Sequence, residues 1–422
     1  LKKIIALFAV LLSVFTFSSC SGKSIEEMLV APSLTEEQSA ILGVLESSTT
    51  EKTVLKYPES GNERYPIQFY DLNGDGEKEA VVLYSIPALG VLAHIAVMQK
   101  SDDDSWVITS DVEGVGANIY SLRTINLTTQ SNKYLLVQWS SVSGTDKLFT
   151  VYNFSGGLLK TGFEEDCCNI IVTDVDADGE IEFCYITNGT ESTPFKLKIV
   201  DDIDKRLAVT AECDLNSEML SCVNLISGFF LSGSRAIFVD ENIGNGNSTT
   251  EVFSFVDDSL IPSDGETEYD FLQLACRKST DPDCTELREN GATLIPSATS
   301  PDGNVMFPDR WVYWYSINDG SVVNVANSYY DEDYGMVLTV PHEWLYYSDV
   351  VVDYAERKIS VCRFDSGEEL VSVKILTVNE TADSELLSEY ELATWSGPYR
   401  YYIKYNCSSE DRYYISSYFK II

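Results

Sequence analysis

Two stretches of this chain carry the same acidic pattern position by position: Asp71-Leu-Asn73-Gly-Asp75-Gly76-Glu77-Lys-Glu79 and Asp174-Val-Asp176-Ala-Asp178-Gly179-Glu180-Ile-Glu182. Each runs directly into an apolar segment, Ala80 to Tyr84 in the first and Phe183 to Ile186 in the second. A turn followed by a strand, used twice, marks a repeat architecture. Between the two, Asn126 to Trp139 fits the same frame with its acidic positions replaced, and looser copies begin at Ser227 and Glu286. Frame starts at 71, 126, 174, 227 and 286 give a period of about 50 residues, which with several short strands per unit predicts propeller blades in a mainly β chain. A β-sandwich is the architectural alternative.

The text outside the repeats sets the boundaries. Lys2 and Lys3 precede an apolar run from Ile4 to Phe17 and a small-residue site, Phe17-Ser18-Ser19-Cys20. That run is too short to span a bilayer, so residues 1–19 are expected to be a cleaved targeting segment. The site ending in Cys20 resembles the bacterial lipobox, which implies lipidation of Cys20, a membrane tether made by acyl chains alone, and an extracytoplasmic location on a bacterial membrane. Residues 20–47 then hold the tether and a short helix, announced by the capping box Thr35-Glu36-Glu37-Gln38 and by Ile41, Leu42 and Leu45 at helical spacing. Residues 48–345 are expected to be the propeller. Residues 346–422, with strand-like runs and a capped segment from Thr381 to Leu392, are expected to form a small α+β domain.

Charge removes one class of partner. With 66 acidic against 29 basic side chains the formal charge is −37, so nucleic acid, which demands clustered cations, is excluded as a partner. Nine cysteines follow Cys20, an odd number without any C-x-x-C spacing, which argues against a complete disulfide framework and against zinc. Most are expected to be buried thiols, with Cys213–Cys222 and Cys276–Cys284 open as pairs.

The loops carry the chemistry. In D-x-[DN]-x-D-G-x-x-E, side chains at positions 1, 3, 5 and 9 and the carbonyl at 7 converge because Gly at 6 permits a sharp turn, and an all-oxygen cage of this kind suits Ca²⁺ better than Mg²⁺. The expected ligands are Asp71, Asn73, Asp75, Glu79 and the Glu77 carbonyl, and Asp174, Asp176, Asp178, Glu182 and the Glu180 carbonyl. An EF-hand does not fit, since position 12 is Val82 in one loop and Tyr185 in the other. Acidic turns without a metal are the alternative.

On these residues the chain resembles the VCBS and FG-GAP repeats of calcium-binding β-propellers, over about residues 57 to 300, although no Phe-Gly pair opens the units. The lipobox-like site, Tyr57-Pro58-Glu59-Ser60-Gly61 and the acidic loop also resemble an uncharacterised lipoprotein type of Firmicutes. The resemblance implies a calcium-stabilised surface protein that binds a polysaccharide or an envelope protein. A polysaccharide-active lyase or hydrolase is the alternative, although no catalytic constellation supports it. His94 and His342 are the only histidines, Pro341-His342-Glu343-Trp344 lacks a zincin's second histidine, and no G-x-S-x-G is present. The aromatic stretch from Trp311 to Tyr347 is expected to be core and interblade packing, with a glycan-stacking face as the alternative.

Overall fold

The computed structural model describes residues 34–127, 133–144, 147–190, 192–203, 206–263, 274–299, 311–318 and 321–421. The expected targeting segment, residues 1–19, and Cys20 lie outside them. The chain is mainly β, and its strands form six successive antiparallel sheets of four or five strands, with one additional two-stranded hairpin. The second strand begins at Tyr134, Glu182, Arg235, Trp311 and Lys358 in the last five sheets, and in the first sheet, which has the short extra strand Val54–Leu55, the equivalent strand begins at Glu79. Glu79, Tyr134, Glu182 and Arg235 are the ninth positions of the frames beginning at 71, 126, 174 and 227, so there the frame marks the corner where a loop enters an inner strand.

The frame beginning at 286 does not mark such a corner. It falls on the hairpin of Arg288–Glu289 and Ala292–Thr293. Asn290 and Gly291 between them sit at φ 50° and 84°, the backbone that a two-residue turn demands and that this dipeptide tolerates. The turn dipeptide was legible, but its role is local.

Alternation along each strand splits its side chains between two faces, and this joins each sheet to the next. In the first sheet, Val81, Leu83, Ile95 and Val97 pack on Leu135, Val137 and Trp139 of the second. The residues between them, Ala80, Val82, Tyr84, Ala96 and Met98, receive Ile41 and Leu45 of helix α1 (Glu36–Ser48), whose N-terminus carries the expected capping box from Thr35 and Gln38. The second sheet's Leu136, Phe149 and Val151 meet Phe183, Tyr185 and Val200 of the third. Cys184, Ile186 and Ile199 of the third meet Ile237, Val239 and Phe253 of the fourth. Phe238 and Val252 of the fourth meet Tyr313 and Tyr315 of the fifth, and Tyr329, Leu338 and Val340 of the fifth meet Ile359, Val361 and Val373 of the sixth. Among the described residues no hydrophobic cluster joins the sixth sheet to the first.

Trp139 shows how tightly one of these interfaces is built. It is fully buried, its Nε1 donates to Thr150 Oγ1 at 3.0 Å, and a Cβ on Gly114 or Gly116 would overlap it; the two glycines let the backbone pass over the indole. In the aromatic stretch, Tyr313, Trp314, Tyr315, Tyr329 and Trp344 are buried. These five serve as core.

Residues 348–405 form the sixth sheet, followed by α3 (Ser409–Tyr418); α2 (Ser384–Glu389) precedes the last two strands of that sheet. The chain then returns, and Lys420–Ile421 pairs with Met336–Pro341 at the edge of the fifth sheet. No helix among the described residues is long and apolar enough to cross a membrane.

Candidate metal centre

Each acidic loop joins two antiparallel neighbours of its sheet, Ile67–Tyr70 to Glu79–Ser85 in the first and Asn169–Thr173 to Glu182–Ile186 in the third, and the same backbone bonds shape them. The ninth-position glutamate, buried in each case, accepts the N–H of position 2: Leu72 to Glu79 Oε2 at 2.7 Å and Val175 to Glu182 Oε2 at 2.8 Å. The first aspartate accepts the N–H of position 4, from Gly74 at 2.7 Å and from Ala177 at 2.6 Å. Position 3 accepts from position 5, and position 5 accepts from position 7, in both copies. Positions 4 and 6 turn through positive φ, as Gly74 and Gly76 in one loop and as Ala177 (67°) and Gly179 (92°) in the other. Alanine at such a φ carries strain that glycine does not.

The loops differ in what converges. In the second, carboxylate oxygens of Asp174, Asp176 and Glu182 all lie within 4.8 Å of one another. Asp178 and Glu180 are not part of that group; Asp178 Oδ1 is engaged by the Glu180 N–H at 2.7 Å. In the first loop, Asp71, Asp75 and Glu79 make no such group. Asn73 Nδ2 donates to Asp75 Oδ2 at 2.8 Å, Gln99 Nε2 donates to Glu79 Oε1 at 3.0 Å, and Glu77 is exposed. The amide at position 3 and the glutamine on the neighbouring strand thus relieve in the first loop a repulsion that persists in the second.

Electrostatics express that repulsion. Burial, followed by the charges of Asp176, Asp201 and Asp178, pushes Glu182 up to about 7, against the Val175 N–H that opposes it. Asp201, on the third strand of the same sheet, is raised by burial and by Asp178, Asp202 and Asp176. A cluster of acids whose charge is this costly gains most from a cation. Three convergent carboxylates with hard oxygen donors fit Ca²⁺, and they offer no soft ligand that would select a transition metal.

Two contributors escape a reading of the loops alone. Arg235 opens the second strand of the next sheet, reaches back to ion-pair with Asp174 Oδ2 at 3.3 Å, and donates to the Asp174 carbonyl. Its signal was positional, because it occupies the ninth frame position that holds Glu79 and Glu182 in the intact copies. Asp201 gave none, since it reaches the loop by sheet pairing. Beside the loop lies an open cleft of about 900 Å³ whose lining includes Asp176, Ala177, Phe229, Phe230, Arg235 and Phe255. The fold and site thus define a β chain of successively packed antiparallel sheets with an acidic loop at the corner of the third. Compared with known proteins, the chain matches no family model and no curated protein.

Proposed function

We propose that this chain is a lipid-anchored, extracytoplasmic binding protein whose sheets are the blades of a calcium-stabilised β-propeller of VCBS/FG-GAP type. The observation that carries the reading is the second loop, where Asp174, Asp176 and Glu182 converge at a corner that the first loop repeats in backbone. Calcium there acts as a staple: it neutralises the acids and fixes the corner against the adjoining sheet, with the Glu180 carbonyl and Asp178 available to complete its shell. In the first loop Asp71, Asn73, Asp75, Glu79 and the Glu77 carbonyl form the weaker site, because Asn73 and Glu79 must first exchange protein partners for the ion. Anchoring through Cys20 rests on the lipobox-like sequence, and the membrane is engaged only there.

The ligand is a neutral polysaccharide. Phe229 is exposed at the adjoining cleft, with the Arg235 guanidinium 5.5 Å from its ring, and a flat apolar face flanked by hydrogen-bonding groups suits a sugar ring. The charge of −37 disfavours polyanions. A glycan array probed with the purified chain in Ca²⁺ and in EDTA tests this, with a Phe229→Ala variant alongside. Retention of neutral glycans that needs both Ca²⁺ and Phe229 is expected. Silence on the array with capture of an envelope protein instead would replace the ligand class, and cleaved products in the incubation would move the assignment to a lyase or hydrolase.

A further inference from the structure

We propose that Cys168 and Cys222 are a redox-active thiol pair that closes to a disulfide tying the third sheet to the fourth. Cys168 stands immediately before the first strand of the third sheet, Asn169–Thr173, and Cys222 lies in the first strand of the fourth, Ser221–Phe229. The two strands run side by side. Asn169 Nδ2 donates to Cys222 Sγ at 3.9 Å near one end, and Thr173 Oγ1 is 3.1 Å from Ser227 Oγ further along. Cys168 Sγ donates to the Ile186 carbonyl and Cys222 Sγ to the Asn224 carbonyl, each at 3.5 Å; each cysteine is the largest influence on the other's ionisation, and both pack at the margin of one apolar cluster. Neither is fully buried, and both are free thiols in the structure. Among the described residues the one group of three or more convergent metal-type side chains is the acidic loop, so the pair is not part of a thiolate metal set.

The environment assigns the two sulfurs different roles. The neighbouring Cys222 holds the Cys168 thiol below its ordinary value and more than offsets its burial, while Cys168, with burial, raises Cys222. Cys168 is therefore the attacking thiolate and Cys222 the resolving thiol. A low-molecular-weight disulfide such as oxidised glutathione is the oxidant. The Cys168 thiolate attacks one of its sulfurs, breaking that S–S bond, forming a mixed disulfide and releasing one thiolate. Cys222 then gives its proton to solvent and attacks the Cys168 sulfur, forming the protein disulfide and releasing the second thiolate. Two electrons pass from the protein pair to the external disulfide, and one S–S bond replaces another. The cross-link secures the strand pair that leads at its other end to Asp174 and Arg235. Adjacent Cys167 is an internal control, because it is fully buried and burial first, then Cys168, pushes it up to about 12.

The test equilibrates the full chain with mixtures of reduced and oxidised glutathione, alkylates under native conditions and maps the peptides by mass. A linked peptide holding Cys168 and Cys222, lighter than the two thiol peptides by two hydrogens, is expected, with protection of both sulfurs rising together. Cys167 and Cys184 should become alkylated only on unfolding. In Cys222→Ser, glutathione should stay attached to Cys168. The proposal is overturned if both thiols stay alkylatable at every ratio, or if Cys222 links to Cys213 instead. The wild-type map decides the matter alone should the variant not fold.

Discussion

Replacing Arg277 by methionine is expected to lower folding stability by about 3–5 kcal/mol, because it strands a charge in the interior. Arg277 and Asp240 are almost wholly inaccessible and pair at 2.8 Å. Asp240 also accepts from Thr250 at 2.5 Å and from both the N–H and the thiol of Cys284, at 3.0 and 2.8 Å. Arg277 spends its other donors on the Pro282 carbonyl at 2.8 Å, Thr250 at 2.9 Å and the Ala275 carbonyl at 3.2 Å. The network thus ties residues 274–285 to the second and third strands of the fourth sheet. Removing the cation alone leaves Asp240 without its counter-charge, whereas Asp240→Asn combined with Arg277→Met removes both charges and should recover part of the loss. Denaturant unfolding of the two single variants and the double variant measures the coupling; additive losses would show that the pair does not act as a unit.

The second large effect has the opposite sign. Glu241→Gln is expected to stabilise the protein at neutral and alkaline pH, by about 3 kcal/mol at pH 7. Glu241 is fully buried, and neither of its carboxylate oxygens makes a hydrogen bond. Its acidic neighbour is Glu251, which is itself held by the Asn216 N–H at 2.5 Å, so the two carboxyls can bond only through a shared proton. Burial first, then the neighbouring Glu251 carboxyl, push Glu241 up to about 10, against the Asn216 side chain that opposes them. The folded state therefore keeps a proton that the unfolded chain releases near the ordinary value of 4.5. The folded state binds more protons between those two values, so this group's contribution is fully present at acid pH and is lost progressively as pH rises from about 4.5 to about 10. Glutamine donates to Glu251 at every pH and should flatten that slope. Melting midpoints of wild type and variant from pH 4 to 9 check it; parallel curves would mean that Glu241 does not titrate in this window.

Much of the architecture was legible because the repeat carries its own register. The ninth frame position opens an inner strand in four copies even where the acidic residues are gone, as at Tyr134 and Arg235, since the corner is made by backbone turns and an apolar strand. The hairpin at Asn290-Gly291 misled because a turn dipeptide reports its own φ values and nothing about which sheet it serves. The corners of the fifth and sixth sheets, entering strands at Trp311 and Lys358, hold no acidic frame and were silent. At the site, spacing placed Asp174, Asp176 and Glu182 on one loop and the structure brings their carboxylates together. The same spacing did not reveal that Gln99 and the Asn73 amide occupy partners in the first loop. Glu241 and the Cys168–Cys222 contact were equally hidden, because both arise where strands from distant segments pack.

The most direct test of the metal-stapled architecture is the melting midpoint of the full chain in EDTA and after Ca²⁺ is restored, in wild type and in Asp176→Asn. Asp176 is exposed, so its amide should leave the fold intact while removing one of the three convergent carboxylates. Calcium at one hundred times its dissociation constant adds about 2.7 kcal/mol per site, a rise of a few degrees for a chain of this size. The rise is expected with Ca²⁺, not with equal Mg²⁺, and mostly lost in Asp176→Asn. An unchanged midpoint in wild type, or a rise undiminished in the variant, would contradict a calcium staple at this loop.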